Sequence, residues 1–339
     1  MTSSTILPGA TPQAAMHAAF DVIRSLEPQV ARQLQLLRPV ATSWQPSDCL
    51  PDSSADTWID DLASLRAQAR AISDDLLVVL VGDMVTEEAL PSYSLALNRL
   101  VRAEHGASLA PWARWLRGWT AEENRHGDVL NAYLRLSGRV DMRAVERTVQ
   151  ALITDGFDPE DGGDPYQLLV YTSFQERATR ISHGNVGRLA DRAGDATLGR
   201  ICRLIAGDEA RHETFYTQMM SAVMNVDPAG GISAFAAMMR RQIAMPGRLM
   251  TDGRGRPMFD AFSAAADDTG VYTALDYVSI LEHLLATWRV ASVSVSGDAA
   301  RHQDELCMLP GRLRRFADRL ATRKQRRALM SFPWLAPGR

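Results

Sequence analysis

Two stretches of this chain repeat one pattern, acid-acid-x-x-His: Glu122-Glu123-Asn124-Arg125-His126 and Asp208-Glu209-Ala210-Arg211-His212. On an α-helix, residues three apart share a face, so Glu123 with His126 and Glu209 with His212 can each present a carboxylate and an imidazole together. Residues four apart share a face as well, so geometry alone leaves Glu122 and Asp208 open as alternatives. One established way of holding two metal ions inside a helical bundle uses a Glu-x-x-His pair from each of two helices and a single Glu from each of two others. That arrangement selects Glu123 and Glu209. It also asks for two more glutamates, and Glu87, in Val81-Gly82-Asp83-Met84-Val85-Thr86-Glu87-Glu88, and Glu176, in Tyr171-Thr172-Ser173-Phe174-Gln175-Glu176, stand upstream of the two pairs. The neighbouring acid of each doublet is turned about 100° around the helix. Asp208 is therefore a candidate to hydrogen-bond a ligand rather than to be one.

A single Glu-x-x-His pair is ordinarily part of a solvated face. Here the acids sit among apolar residues, such as Leu204-Ile205-Ala206 before Asp208 and Leu168-Leu169-Val170-Tyr171 before Glu176. Buried carboxylates without a compensating cation are costly. A metal is the cheaper account of six such residues, and a carboxylate and imidazole donor set suits iron better than thiolates would.

The elements that must position these groups are helices. Long helical patterns dominate, Gly and Pro cluster between them, and no β-rich run competes. The run Leu76 to Val81 fits a strand by its apolar continuity, yet leads straight into the Glu87 helix. The spacing from Glu87 to Glu123, and from Glu176 to Glu209, predicts two helical hairpins joined by a crossover. The expected fold class is all-α, a four-helix bundle around the metals extended by additional helices. Residues 1–339 are expected to form one domain, with 1–17 as a flexible arm. Pro91, four residues after Glu87, removes one backbone hydrogen bond and is expected to kink that helix beside the site. Thr179 follows Glu176 by three residues and shares its face. Its hydroxyl is either a proton donor at the site or is bonded back to a carbonyl of its own helix.

The chain has 339 residues, 46% of them hydrophobic, and a formal net charge of −3. Its three cysteines, Cys49, Cys202 and Cys307, are scattered, with neither metal nor disulfide spacing, so a reducing cytoplasm is expected. No segment predicts a membrane span, and Met1 to Gln13 lack the features of a leader. A basic run, Arg312, Arg314, Arg315, Arg319, Arg323 and Lys324, points to an acidic protein partner or to a plain solvated helix. It lacks the interleaved aromatics of a nucleic-acid surface.

These segments, together with Trp119-Thr120-Ala121-Glu122, Ile181-Ser182-His183-Gly184-Asn185, Met245-Pro246 and Leu249-Met250, resemble the soluble acyl-carrier-protein (ACP) desaturases, over roughly residues 20 to 335. The resemblance implies a ferritin-like, homodimeric enzyme with a non-haem centre of two iron ions on Glu87, Glu123, His126, Glu176, Glu209 and His212. It implies insertion of a cis double bond, by family default Δ9 in a C16–C18 chain, while the acyl group is carried on ACP, with O2 and reduced ferredoxin as co-substrates. A methylene has no acidic proton and no leaving group, so acid–base or hydrolytic residues could not attack it, whereas reduced iron with dioxygen can supply hydrogen abstraction. By the same resemblance Trp44 and Trp119 lie near the histidine ligands and, with Asp208, carry electrons inward, although both are ordinary core residues on the other reading. Thr179 gains weight as the catalytic hydroxyl. Asp260 is placed at the cavity mouth, and Leu100, Pro159, Leu168 and Phe259 along the acyl channel, where all four equally suit a core.

Two other classes use this ligand pattern. An iron-storage protein needs only one four-helix bundle, and this chain is well over a hundred residues longer. A radical-generating subunit requires a tyrosine close to the metals and usually an aspartate among the ligands, and neither is evident in the sequence. A desaturase or oxidase redirected to a specialised ACP-bound chain also fits.

Overall fold

The computed structural model describes residues 12–101, 106–322 and 332–335. Among these the structure is helical, with no strand and only isolated bridges, Val140 with Leu335 and Thr251 with Pro257. The helices are α1 (Pro12–Ser25), α2 (Glu27–Gln33), α3 (Trp58–Ala69), α4 (Asp74–Glu88), α5 (Leu90–Leu97), α6 (Pro111–Ser137), α7 (Met142–Asp155), α8 (Pro165–Ala193), α9 (Ala196–Val226), α10 (Pro228–Arg241), α11 (Phe259–Thr269), α12 (Ala274–Thr287) and α13 (Gly297–Thr322). None of the described helices is long and apolar enough to cross a membrane. Residues 12–17, expected as part of an arm, already belong to α1, and those before them lie outside the described residues.

The four ligand-bearing helices are α4, α6, α8 and α9, and local sequence explains their ends. Ser73 caps α4 by accepting from Leu76 N–H, and Asp164 caps α8 by accepting from Tyr166 and Gln167 N–H, with Pro165 at its first position. Gly194, at φ 90°, ends α8 in the left-handed conformation that glycine adopts without strain, and Asp195 then caps α9. This two-residue turn makes α8 and α9 a tight hairpin. The Leu76–Val81 run is helical and fully buried rather than a strand, because α4 is packed on several sides, by α6, α7, α8 and α11. At Gly82 a Cβ would fall 2.1 Å from the Phe262 ring, so only glycine lets α11 lie this close.

The first half is not a simple hairpin. α4 stops at Glu88 and α5 starts at Leu90, and both α5 and the 3₁₀ turn Asn98–Val101 intervene before α6. Pro91 explains the break: its missing N–H would have bonded to the Glu87 carbonyl. The Tyr93 hydroxyl reaches that carbonyl at 3.1 Å and the Thr86 carbonyl at 2.9 Å, so the broken helix end is satisfied by a side chain from the next helix. The buried apolar residues form two clusters. One gathers Trp112, Trp115, Trp119 and Leu168 to Phe174, and the other Leu76 to Val85 and Val129 to Leu134, so the ligand helices draw on both.

Candidate metal centre

Glu87 comes from the end of α4, Glu123 and His126 from the middle of α6, Glu176 from α8, and Glu209 and His212 from α9. All six are buried. They converge as two quartets, Glu87–Glu123–His126–Glu209 and Glu123–Glu176–Glu209–His212, in each of which one donor atom per residue lies within 4.8 Å of the others. Glu123 and Glu209 belong to both, so two sites share two carboxylates, and Glu87 with His126 and Glu176 with His212 close the two ends.

The donor atoms are arranged for cations. His212 Nδ1 stands 2.7 Å from Glu123 Oε1 and 3.5 Å from Glu176 Oε2, while His126 Nδ1 stands 3.3 Å from Glu123 Oε2 and 3.5 Å from Glu209 Oε1. Yet Glu123 Oε1 and both Nδ1 atoms are buried without a hydrogen-bond partner. Lone pairs that face one another in a water-free interior require a positive charge between them. The other ring nitrogens face outward to acids. His212 Nε2 is 3.0 Å from Glu122 Oε2, and His126 Nε2 is 3.5 Å from Asp208 Oδ2. A carboxylate only accepts, so the Glu122 contact places the His212 proton on Nε2 and leaves its Nδ1 toward the metal site, whereas His126 Nε2 faces Asp208 without a hydrogen bond. The residues present therefore fit a pair of metal ions.

Without metal, protons must serve instead. Burial disfavours the imidazolium, but the Glu123 carboxylate outweighs it and holds His126 and His212 well above the ordinary histidine value. Burial and the neighbouring glutamates push Glu176 well up and Glu209 up. Glu87 is also buried, yet the neighbouring His126 and the hydrogen bond from His183 bring it down to about 2. Such divergent values in one cluster are the mark of a charged site rather than an inert core.

Behind the ligands lies a crossed pair of acids. Asp208 of α9 backs His126 of α6, and Glu122 of α6 backs His212 of α9, while Arg211 bonds both acids, to Asp208 Oδ1 at 2.7 Å and to Glu122 Oε2. Asp208 further accepts from Trp44 Nε1 at 3.0 Å, Arg125 at 3.1 Å and Arg38 at 3.2 Å. Burial raises its pKa, but His126 and Arg211 overcome this and hold it far below the usual carboxylate range. Trp44 stacks on His126 with ring centroids 6.2 Å apart and planes within 7°. Trp119 donates from Nε1 to Glu176 Oε1 at 3.0 Å.

A narrow cavity of about 60 Å³ opens on the cluster. Glu87, Glu123, Glu176, Glu209 and Thr179 line it at the metal end, and it runs along α8 past Thr172 to Leu168, Phe157 and Pro159. Leu168 lies eight residues before Glu176, about 12 Å along the helix axis. Thr179 Oγ1 is 3.1 Å from both the Gln175 and the Glu176 carbonyl, so its proton is engaged with its own helix while its oxygen borders the cavity. Leu100 and Phe259 lie outside this lining. Leu100 is buried in the cluster around the tryptophans, and Phe259 packs on Phe262 at the start of α11. Asp260, next to it, is exposed in the first turn of α11 and likewise does not line the cavity.

On α13, Arg312, Arg314, Arg315 and Arg319 are exposed, with Arg314 held by Glu282 at 2.7 Å. Arg323 and Lys324 lie outside the described residues. Sequence reasoning left Glu122 undecided and missed His183, whose Nε2 is 2.8 Å from Glu87 Oε1. It also found no tyrosine near the metals, whereas Tyr93 lines the cavity and buried Tyr216 packs edge-on against Trp119 at 6.3 Å. Their partners come from other helices, so no local spacing announces them.

The bundle and its paired carboxylate–histidine quartets define a ferritin-like protein with a ligand set of the di-iron type. The chain matches the fatty acid desaturase family over residues 18–336, and it belongs to that family. It is 50% identical over 321 residues to the stearoyl-[acyl-carrier-protein] 9-desaturase 1 of Arabidopsis thaliana chloroplasts, covering 93% of this chain and 82% of that one. It is 51% identical to the chloroplast stearoyl-[acyl-carrier-protein] 9-desaturase of Gossypium hirsutum, with 93% and 81% covered. Among solved structures, DesA2 of Mycobacterium tuberculosis, described as a candidate acyl-ACP desaturase, aligns with a TM-score of 0.51 at 20% identity over 80% of this chain and 96% of that one, which shows a shared fold.

Proposed function

We infer that this chain is an acyl-ACP desaturase, an oxidoreductase that uses O2 to place a cis double bond in a saturated chain carried on ACP, stearoyl-ACP and the Δ9 position being the expected case. The observation that carries the reading is the junction of the two quartets with the cavity: the shared carboxylates form the wall of an otherwise largely apolar channel. A methylene chain threaded there lies against the ligands with water excluded by Leu168, Phe157 and Pro159. An iron-storage site needs no such channel, and the quartets contain Glu and His but no Asp, unlike the usual radical subunit.

Glu87, Glu123, His126, Glu176, Glu209 and His212 would hold two iron ions, which supply reductive activation of dioxygen and abstraction of hydrogen from the chain. The apolar walls orient the chain and fix how far its end reaches past the metals. Thr179 offers a hydroxyl oxygen at the cavity wall for proton exchange. Trp44, Asp208 and His126 form a continuous path between the metal end and the outer side of α6, and this path is assigned to electrons delivered by a ferredoxin. The exposed arginines of α13 are assigned to docking of the acidic ACP. A homodimer is expected. The whole chain is read as one domain acting in the cytoplasm.

Steady-state turnover with a ferredoxin reducing system, comparing stearoyl-ACP with stearoyl-CoA, tests the assignment. Desaturation of the ACP thioester with little on the CoA thioester supports it. Oxygen consumption with both thioesters left intact would overturn it.

A further inference from the structure

Ser182 and His183 are buried on α8, two turns past Glu176, and the function proposed above gives them no task. His183 Nε2 reaches across the bundle to Glu87 Oε1 at 2.8 Å. Its ring also meets the buried Cys202 thiol of α9. Ser182 Oγ lies 3.2 and 3.1 Å from the two oxygens of buried Asp83, one turn before Glu87 on α4. α8 thus grips α4 at two successive points beside the site. The opposite terminal carboxylate, Glu176, is held differently, by the indole N–H of Trp119 from α6.

We propose that His183 is the positioning residue of Glu87, and that the two metal sites are therefore unequal in how their terminal carboxylates are held. A carboxylate only accepts, so His183 donates from Nε2 and fixes Oε1. Oε2 then remains for the metal that Glu87 shares with His126, whose Nδ1 lies 3.7 Å from it. The need for such a holder is local. Glu87 is the second-last residue of α4, which breaks at Ala89, so its backbone lacks the continuous helix that supports Glu123, Glu176 and Glu209 on both sides. His183 acts through Glu87 and touches neither substrate nor reacting atoms.

This proposal rests on the reading that the quartets hold iron, and the experiment separates the two. Full-length wild type, His183→Gln and His183→Asn are titrated anaerobically with ferrous ⁵⁷Fe, and the loaded proteins are examined by Mössbauer spectroscopy. Glutamine places an amide N–H where Nε2 stood; asparagine, one methylene shorter, does not reach Glu87. The expected result is two tightly bound irons in wild type and in His183→Gln. In His183→Asn one iron stays tight and the other binds about 10–100-fold more weakly, the range for loss of a ligand's hydrogen-bond partner, with one of two spectral components altered. Equal weakening of both irons in His183→Asn, unchanged binding in it, or failure of glutamine to preserve binding overturns the positioning role. Wild type that takes up no iron pair overturns the parent reading instead.

Discussion

The indole N–H of Trp44 donates to Asp208 Oδ2 at 3.0 Å while the same ring stacks on His126, the imidazole that Asp208 backs. One tryptophan therefore touches a metal-site histidine and the acid that orients it. Asp208→Asn keeps the shape and removes the charge, and turnover is expected to fall about 10–100-fold, with weaker iron retention. Trp44→Phe is expected to slow turnover driven by ferredoxin and to leave a single turnover of chemically reduced protein unchanged. Stopped-flow reduction with each donor checks the pair.

The apoprotein should lose stability as pH rises. Asp83 is raised by burial to about 6, and Glu176, His126, His183 and His212 are all raised well above their ordinary values. Glu176 and the three histidines are more protonated in the fold than in the unfolded chain between pH 6 and 8, so unfolding releases protons and stability falls across that window, whereas the contribution of Asp83 is lost as pH rises through about 6. Glu87 and Asp208 are shifted down, so their contribution is present above the ordinary carboxylate pKa and constant in this range. Thermal melts of metal-free protein should therefore give a higher Tm at pH 6 than at pH 8. Iron, replacing the protons, should flatten the slope. A Tm that rises with pH in the apoprotein would contradict this account of the cluster.

Thr179→Val removes the hydroxyl at the cavity wall with little change in shape. A loss of about a hundredfold in turnover is expected if that oxygen takes part in proton exchange, with Thr179→Ser retaining most activity. Since the hydroxyl bonds only to carbonyls of its own helix, the Tm should hardly change. Rates and melts of both variants decide it.

Leu168 is buried against the far end of the cavity. Leu168→Ala should cost about 2–5 kcal/mol of stability, and the enlarged cavity should favour longer acyl chains. Competition between acyl-ACPs of different length reads the change as a shifted product ratio.

The convergence of the six candidate ligands was legible in the sequence because a helix converts spacing into direction: Glu123 and His126 must share a face whatever surrounds them. Glu122 was not decidable in the same way. Its partner, His212, comes from α9, and only packing shows that the residue four before one histidine serves the other. The kink expected at Pro91 is a full break, and the Tyr93 bond that makes the break tolerable links two helices and leaves no periodic trace. Channel walls were the least legible part. Leu168 and Pro159 line the cavity and Leu100 does not, though all three are apolar and buried, because the difference lies in which face of a loop or helix meets the void.

The most direct measurement is a single turnover of the iron-loaded, chemically reduced protein with O2 and stearoyl-ACP, followed by mass spectrometry of the acyl product after derivatising any double bond. The account predicts a mono-unsaturated chain with the bond at Δ9. Stearoyl-ACP recovered intact after the oxygen has been consumed would contradict it.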